Sequence, residues 1–492
     1  MKTTARKQEL SVPKEVLAVG KALHDAGFKA YLVGGCLRDL LLGREPKDWD
    51  IATDATPQKM QALFPESVYE NAFGTVGVKT ESADARLKVI EVTTFRKEGK
   101  YTDKRHPDEI AFAKTIEEDL ERRDFTVNAI ARGLKSGENV DPFGGQEDIK
   151  KNVLRTVGDP EARFSEDALR LLRVVRLAAD LGFEIEAKTA AAARKLAGLL
   201  EFIAKERVRD ELAKIVMTPR AAAGVQALED YGLLKFVLPE LREGIGVGQN
   251  KHHVYTVFEH NIRALDYSAS KNYSFEVRLA SLLHDVGKPR TKAGEGLDST
   301  FYGHDVVGAK MAVKMLDALH FSKETVKHVA HLVRYHLFYY NVGEVSEAGV
   351  RRFLNRAGPE YIDDLIKVRE ADRIGSGVPK AVPYKLRHLL FMIEKVKQDP
   401  VGPKMLAANG ADVMRVASLA PGPKVGAILA ILLEEVLDDP AKNTKERLEG
   451  HITELAGRSE KELEEMTRKA KERKNEFEEG VEAEMKKRYH VQ

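Results

Sequence analysis

A change of pattern near residue 150 constrains the fold of this chain more than any other feature. Before it, short β-rich runs alternate with helical stretches. Tyr31-Leu32-Val33 ends in the pair Gly34-Gly35, and Asp50-Ile51-Ala52 forms a second short strand. Residues 76–79 and 87–93, rich in Val, Ile and Thr, read as a hairpin. After Asp141-Pro142-Phe143-Gly144-Gly145 the strands stop. From about Phe164 onwards amphipathic helices follow one another, with Leu, Val and Ala at i, i+3, i+4 spacing. The pattern predicts an α+β chain in which a mixed head, residues 1–150, precedes wholly helical pieces. Breaks at Thr218-Pro219, Pro239-Glu240 through Gly248, and Gly375-Ser376-Gly377-Val378-Pro379 divide the remainder into 151–245, 246–376 and 377–492. A length of 492 residues suits about three or more domains rather than one core. No internal repeat is present.

Composition excludes several classes. The net charge is +2, so a surface for nucleic acid must be a local stripe and not a basic coat. A single cysteine, Cys36, excludes an intramolecular disulfide and a cysteine-built zinc cluster, which suits a reducing cytoplasm. Residues 1–10 are polar and charged, without the apolar stretch of a signal peptide. The longest apolar run, residues 427–433, is too short to span a bilayer. A cytoplasmic protein with no membrane partner is expected. The mixed-charge run 460–487 is expected to be a solvated terminal helix.

Three groups of residues carry chemistry in the first half. Asp48 and Asp50 are two apart, and on a strand such residues face the same side. Hard carboxylate oxygens are what Mg²⁺ takes. Two such ions, about 3.5–4 Å apart, can activate an attacking hydroxyl and stabilise departing pyrophosphate. Glu91, on the later hairpin, is a candidate third carboxylate. Gly34 and Gly35 lie between a strand end and a helix expected to begin near Cys36, where glycine permits close backbone approach. Free N–H groups and the helix dipole then face a triphosphate, and Arg38 is placed to add a cation.

The third group, Glu166-Asp167-x-x-Arg170, lies in a helical pattern predicted over 165–179, which makes Asp167 and Arg170 neighbours on one face. Cytosine offers its N4 amino group to a carboxylate and its N3 to a guanidinium, and adenine offers N6 and N1 in the same order. Uracil and guanine present the reverse. Mispaired polar groups reject an analogue by about 10⁴–10⁵. One pair of side chains can therefore accept CTP and ATP and refuse UTP and GTP. Glu166 would orient Arg170, with Arg173 as a neighbour.

Gly34-Gly35-x-x-Arg38-Asp39 with Asp48-x-Asp50 resembles the nucleotidyltransferase superfamily that shares its head with DNA polymerase β. Arg122-Arg123-Asp124-Phe125-Thr126-Val127-Asn128-Ala129 resembles the ribose-binding motif of class II tRNA nucleotidyltransferases, the bacterial CCA-adding enzymes and poly(A) polymerases. Residues 141–145 resemble the hinge that joins their head to a helical neck, and the motifs run in order from about residue 30 to 215. The resemblance implies that Arg123, Asp124 and Asn128 contact sugar or phosphates, and that Asp167 and Arg170 read the base. It implies template-independent addition of CCA to the tRNA 3′ end from CTP and ATP, with two Mg²⁺ ions in the head. The basic segment from Phe95 to Pro107 resembles the family's flexible loop for the change from C to A, which argues against a CC-only enzyme. Residues 404–448, with Gly422-Pro423, resemble the tail that cradles the tRNA elbow.

Farther on, His284-Asp285 ends an apolar helix, with His260 upstream and Asp372 downstream. This order resembles the HD phosphohydrolase superfamily, which implies that these four ligate a divalent metal of unassigned identity that activates water. His304 and His336 match the extra histidines of two-metal members. An accessory phosphohydrolase activity, including action on 2′,3′-cyclic ends, is an expectation from that resemblance.

Other readings stay open. One is an A-adding or CC-adding specialist, and another is a poly(A) polymerase. Poly(A) enzymes of the group usually carry an arginine-rich stretch where this chain has Phe73-Gly74-Thr75-Val76-Gly77-Val78. A regulatory protein uridylyltransferase also joins such a head to an HD domain. The base-reading pair would refuse UTP, however, and the C-terminal part is helical where ligand-sensing modules alternate strands.

Overall fold

The computed structural model describes residues 10–69, 74–98, 110–250, 254–338, 340–342, 345–396, 403–466 and 468. Seven strands of the head form one sheet: β1 (Ala30–Val33), β2 (Asp50–Thr53), β3 (Ser67–Tyr69), β4 (Thr75–Lys79), β5 (Val89–Thr94), β8 (Ala131–Gly133) and β9 (Asn139–Val140). Their order is β3-β4-β5-β2-β1-β8-β9. The expected hairpin is the antiparallel pair β4–β5, with Val76 opposite Val92. Within this sheet only β2 and β5 run parallel, and that pairing sets Asp50 beside Glu91. A small hairpin, β6 (Arg96–Glu98) and β7 (Ile110–Phe112), follows β5 directly. Most of the basic loop expected over 95–107, from residue 99 on, lies outside the described residues, as does most of the expected terminal helix 460–487, of which 460–466 are helical.

One face of the sheet buries Val33, Ala52 and Ala131 against Phe95, Ile116 and Leu120. Alternation puts Ile51 and Ala52 on opposite faces, and both are buried, so β2 is covered on two sides. The covering helix after β1 spans Gly34–Leu41 and thus begins two residues before the expected Cys36. Gly34 makes this possible with φ +72°, a left-handed value that glycine takes without strain.

Beyond the head the chain is not wholly helical as expected, since Val153–Leu154 pairs in parallel with Glu184–Ile185, two short strands with no periodicity to announce them; a second correction matters more. The helix expected over 165–179 is two helices, Pro160–Glu166 and Arg170–Leu181. Asp167 between them is extended (φ −136°, ψ 103°), and its Oδ1 accepts the Leu169 N–H at 3.0 Å. An aspartate can satisfy a free N–H at a helix start, so it competes with helix continuation there. The segment Pro239–Gly244, expected as a linker, is a 3₁₀ helix.

Two compact units divide the chain. One holds the residues up to Ile245 with Ala269–Phe275 and Val313–Val326; the other holds Gly246–Ser268, Glu276–Ala312 and the residues from Lys327 on. The histidines and aspartates of interest all lie in the second: His260, His304 and Asp372 on helices Val257–Ser270, His304–Ala318 and Ile362–Gly375, and His284, Asp285 and His336 just past the ends of helices Phe275–Leu283 and Lys323–Tyr335. Residues 406–463 bury a separate apolar cluster, with Ile428, Leu432 and Val436 of helix Pro423–Asp438 at its centre. No helix among the described residues is long and apolar enough to cross a membrane.

Candidate functional site

The first unit gathers three carboxylates around the start of β2. Asp50 opens the strand, Glu91 is its partner on β5, and Asp48 sits in the bend just before. Asp48 is thus not on the strand as expected, although it still bears on Asp50. Trp49 between them is buried, and its carbonyl accepts the Glu91 N–H at 3.0 Å, which extends the pairing by one residue. Burial and the facing carboxylates of Asp48 and Glu91 push the Asp50 carboxyl up to about 7, against an opposing pull from Arg123. Crowded carboxylates whose ionisation is disfavoured are what a divalent cation relieves. The trio is open, with Asp48 and Glu91 exposed.

Glycine brings a cation to the same place. A Cβ on Gly34 would lie 3.1 Å from Arg123 Nη1 and 3.3 Å from Asp50 Oδ2. Arg123 Nη2 donates to Asp119 Oδ2 at 3.1 Å, while its buried Nε has no hydrogen-bond partner. Arg38, expected to reach a triphosphate, is engaged within the protein. Its Nη1 donates to Asn128 Oδ1 at 2.8 Å and its Nε to Asp39 Oδ1 at 2.9 Å.

From Arg38 a polar chain runs across the site. Asn128 Nδ2 donates to Asp124 Oδ1 at 3.1 Å, and Arg173 Nε donates to Asp124 Oδ2 at 2.8 Å. Burial acts to raise the Asp124 carboxyl, but Arg173 and the Asn128 amide outweigh it and hold the group well below the usual carboxylate range. The chain ends on the helix that starts with Arg170.

Arg170 and Asp167 do not pair with each other as two residues of one helix face would. Arg170 is buried, and its Nη1 donates to Glu166 Oε2 at 2.7 Å and to the Arg163 carbonyl at 3.0 Å. Asp167 Oδ2 instead accepts from Arg207 Nη2 at 3.0 Å. Arg207, on helix Lys205–Val216, has a buried Nη1 without a hydrogen-bond partner. Neither Arg207 nor Asp119 was expected: no local spacing links Arg207 to Asp167, 40 positions away, whereas Asp119, three and four residues before Arg122 and Arg123, was legible and missed.

The second unit contains the tightest donor cluster. His260 Nε2 lies 2.9 Å from His284 Nε2, 3.1 Å from Asp285 Oδ2 and 3.3 Å from Asp372 Oδ1. On the other side of Asp285, His304 Nε2 and His336 Nε2 are 3.2 and 3.6 Å from Oδ1. Two groups result, His260-His284-Asp285 and Asp285-His304-His336, each with its donor atoms within 4.8 Å of one another. They share Asp285.

Nδ1 of His284, His304 and His336 lies 2.7–2.8 Å from the carbonyl three residues earlier. Donation there leaves each Nε2 as a lone pair aimed at a carboxylate, which is repulsive unless a cation lies between. Neither Asp285 oxygen receives a well-directed hydrogen bond, though Lys288 Nζ is 2.6 Å from Oδ2. The donor set fits divalent metal. Burial opposes charge on Asp285 and Asp372, yet both carboxyls are held well below the usual range, chiefly by Lys288 at the first and Arg369 at the second. Lys288 was missed, although its position three residues after Asp285 on the next helical turn was legible.

A mixed sheet bearing crowded carboxylates beside a glycine-started helix defines a nucleotidyltransferase head. The model of the poly(A) polymerase head domain matches residues 30–155, that of the probable RNA- and SrmB-binding site of polymerase A matches 182–245, and the HD domain matches 257–375. The A-adding tRNA nucleotidyltransferase of Deinococcus radiodurans is 37% identical over 419 residues, covering 82% of this chain and 91% of the relative. The CC-adding tRNA nucleotidyltransferase of Thermus thermophilus is 36% identical over 414 residues, covering 82% and 89%. The crystal structure of the Bacillus stearothermophilus CCA-adding enzyme in complex with CTP superposes with a TM-score of 0.69 at 30% identity, covering 90% of this chain and 96% of that one. The chain belongs to the class II tRNA nucleotidyltransferases, the family of bacterial CCA-adding enzymes and poly(A) polymerases.

Proposed function

We propose that this enzyme adds C, C and A in turn to the 3′ end of tRNA, from CTP and ATP, at one nucleotide site. The observation that carries this reading is the continuous polar chain Arg38–Asn128–Asp124–Arg173. It joins the glycine-started helix beside the carboxylates to the helix that begins with Arg170, and so spans a nucleotide from phosphate to base.

Asp48, Asp50 and Glu91 would hold two Mg²⁺ ions, which when bound supply activation of the RNA 3′-hydroxyl and charge neutralisation on the leaving pyrophosphate. The bare Cα of Gly34 admits the triphosphate, and Arg123 Nη1 beside it donates to it. Asp124 and Asn128 are suited to ribose hydroxyls, because a carboxylate accepts and an amide both donates and accepts. Glu166 fixes the Arg170 guanidinium towards N3 of cytosine or N1 of adenine. Asp167 keeps further lone pairs beyond those given to Leu169 and Arg207, and these accept the exocyclic amine.

In the second unit, His260, His284, Asp285 and Asp372 would hold one divalent ion, and Asp285, His304 and His336 a second. Ions there supply Lewis-acid activation of water against a phosphate ester, the basis for an accessory phosphohydrolase activity. Residues 1–150, 151–245, 246–376 and 377–492 are then head, base-reading neck, HD domain and a tail for the tRNA elbow. A second reading, a specialist that adds only A or only CC, is favoured by the similarity to relatives with those two names.

The test uses three tRNA transcripts, ending before CCA, after C and after CC, each offered CTP, ATP, UTP or GTP singly, and CTP with ATP. Addition of C, C and one A is expected. A alone on the CC-ending transcript, or C alone, identifies the specialist.

A further inference from the structure

Asp119 has no assigned part in nucleotide transfer, yet its carboxylate joins the two ends of the proposed site. It lies on the short helix Ile116–Glu121 and is 1% exposed. Its Oδ1 accepts from Arg122 Nε at 3.0 Å, from Arg122 Nη2 at 2.7 Å and from the backbone N–H of Arg96 at 3.3 Å. Its Oδ2 accepts from Arg123 Nη2 at 3.1 Å. One buried carboxylate thus orders two consecutive guanidinium groups and the first residue of β6.

The two arginines lead in different directions. Arg123 reaches the carboxylate trio, with Nη1 over Gly34 beside Asp50. The bond from Nη2 to Asp119 fixes the guanidinium plane and leaves Nη1 beside Gly34 and Asp50. Arg122 leads to the base end, where its carbonyl accepts from Arg170 Nη2 at 3.4 Å. A guanidinium is a rigid fork, so holding one edge sets the direction of the other. Two half-buried arginines without the carboxylate between them would repel each other and turn outwards.

We infer that Asp119 is a positioning residue for nucleotidyl transfer. It aims Arg123 at the triphosphate and, through Arg122, sets the distance from the phosphate end of the site to Arg170. The inference rests on the reading that Arg123 contacts the nucleotide. Nothing in it requires Asp119 to touch substrate. A misplaced donor at a reacting centre weakens binding and rate together, with effects far larger than the displacement suggests.

The experiment is a double-mutant cycle on the full chain, with steady-state kinetics for CTP on a tRNA lacking CCA. Asp119→Asn is expected to raise KM for CTP about tenfold or more, by loss of one charge-assisted bond, while KM for tRNA stays unchanged. Arg123→Ala is expected to raise it further, and Asp119→Asn is expected to add nothing in that background. Equal losses in both backgrounds would show that Asp119 acts on the fold in general, and would overturn the proposal. An unchanged KM for CTP in Asp119→Asn overturns it as well. If Arg123→Ala itself leaves KM for CTP unchanged, the assignment of Arg123 fails first. Should Asp119→Asn not fold, Asp119→Glu keeps the charge and moves the carboxylate by one methylene. A folded Glu variant with wild-type KM for both CTP and ATP again overturns the proposal.

Discussion

Glu91 stands beside Asp50 in the parallel pairing of β2 with β5, so two carboxylates occupy neighbouring positions on one face of the sheet. Burial, with repulsion from Asp48 and Glu91, is why the Asp50 carboxyl rises to about 7 although Arg123 is close. Asp50→Asn removes the proposed metal ligand and keeps the shape. Transfer should fall at least ~1000-fold, the equivalent of about 4 kcal/mol of transition-state stabilisation. Binding of tRNA, measured by filter retention, should persist. Transfer within tenfold of wild type would remove the metal assignment.

This trio was legible because strand alternation and β-branched residues announce β2 and β5 from sequence. Their parallel pairing was not, since register between strands 40 residues apart has no local signal. The break at Asp167 was missed for another reason. Apolar periodicity continues through Ala168 and Leu169, both buried, so the period alone predicts one helix. The competing signal was Asp167 itself, an N–H acceptor placed before a new helix start. The HD residues follow from chain order, whereas Asp285 as the residue common to both donor groups emerges only from the fold.

Gly34 should not tolerate a side chain. Its φ of +72° costs an L-residue about 1–2 kcal/mol, and a Cβ would sit 3.1 Å from Arg123 Nη1. Gly34→Ala is expected to lower the unfolding free energy by about that much and to raise KM for CTP about tenfold. Wild-type kinetics with CTP would show that this space is not used.

Arg173→Met leaves Asp124 buried without its guanidinium partner, which should destabilise the chain by about 3 kcal/mol at pH 7 in urea unfolding. The sign with pH follows from the depressed carboxyl. Such a group contributes stability above its unfolded pKa, near 3.9, and loses it as pH falls towards the folded value. The gap between variant and wild type should therefore narrow below about pH 4. A gap that widens in acid would contradict the pair as drawn.

Metal content separates the two halves of the HD cluster. Asp285→Asn should strip metal from both groups, because both use that carboxylate. His336→Ala should lower the content of the Asp285-His304-His336 group and spare the His260-His284-Asp285 group. Inductively coupled plasma analysis of dialysed protein reads both. Identical metal content in Asp285→Asn and wild type would mean that Asp285 is no ligand.

The central claim is that one site grips a nucleotide at both ends, with the base read by Asp167 and Arg170. Single-turnover incorporation of CTP against UTP by Asp167→Ala, on a tRNA lacking CCA, tests it most directly. The account predicts that preference for CTP collapses by at least about a hundredfold, while the carboxylate trio still drives addition. Undiminished rejection of UTP by that variant would contradict it.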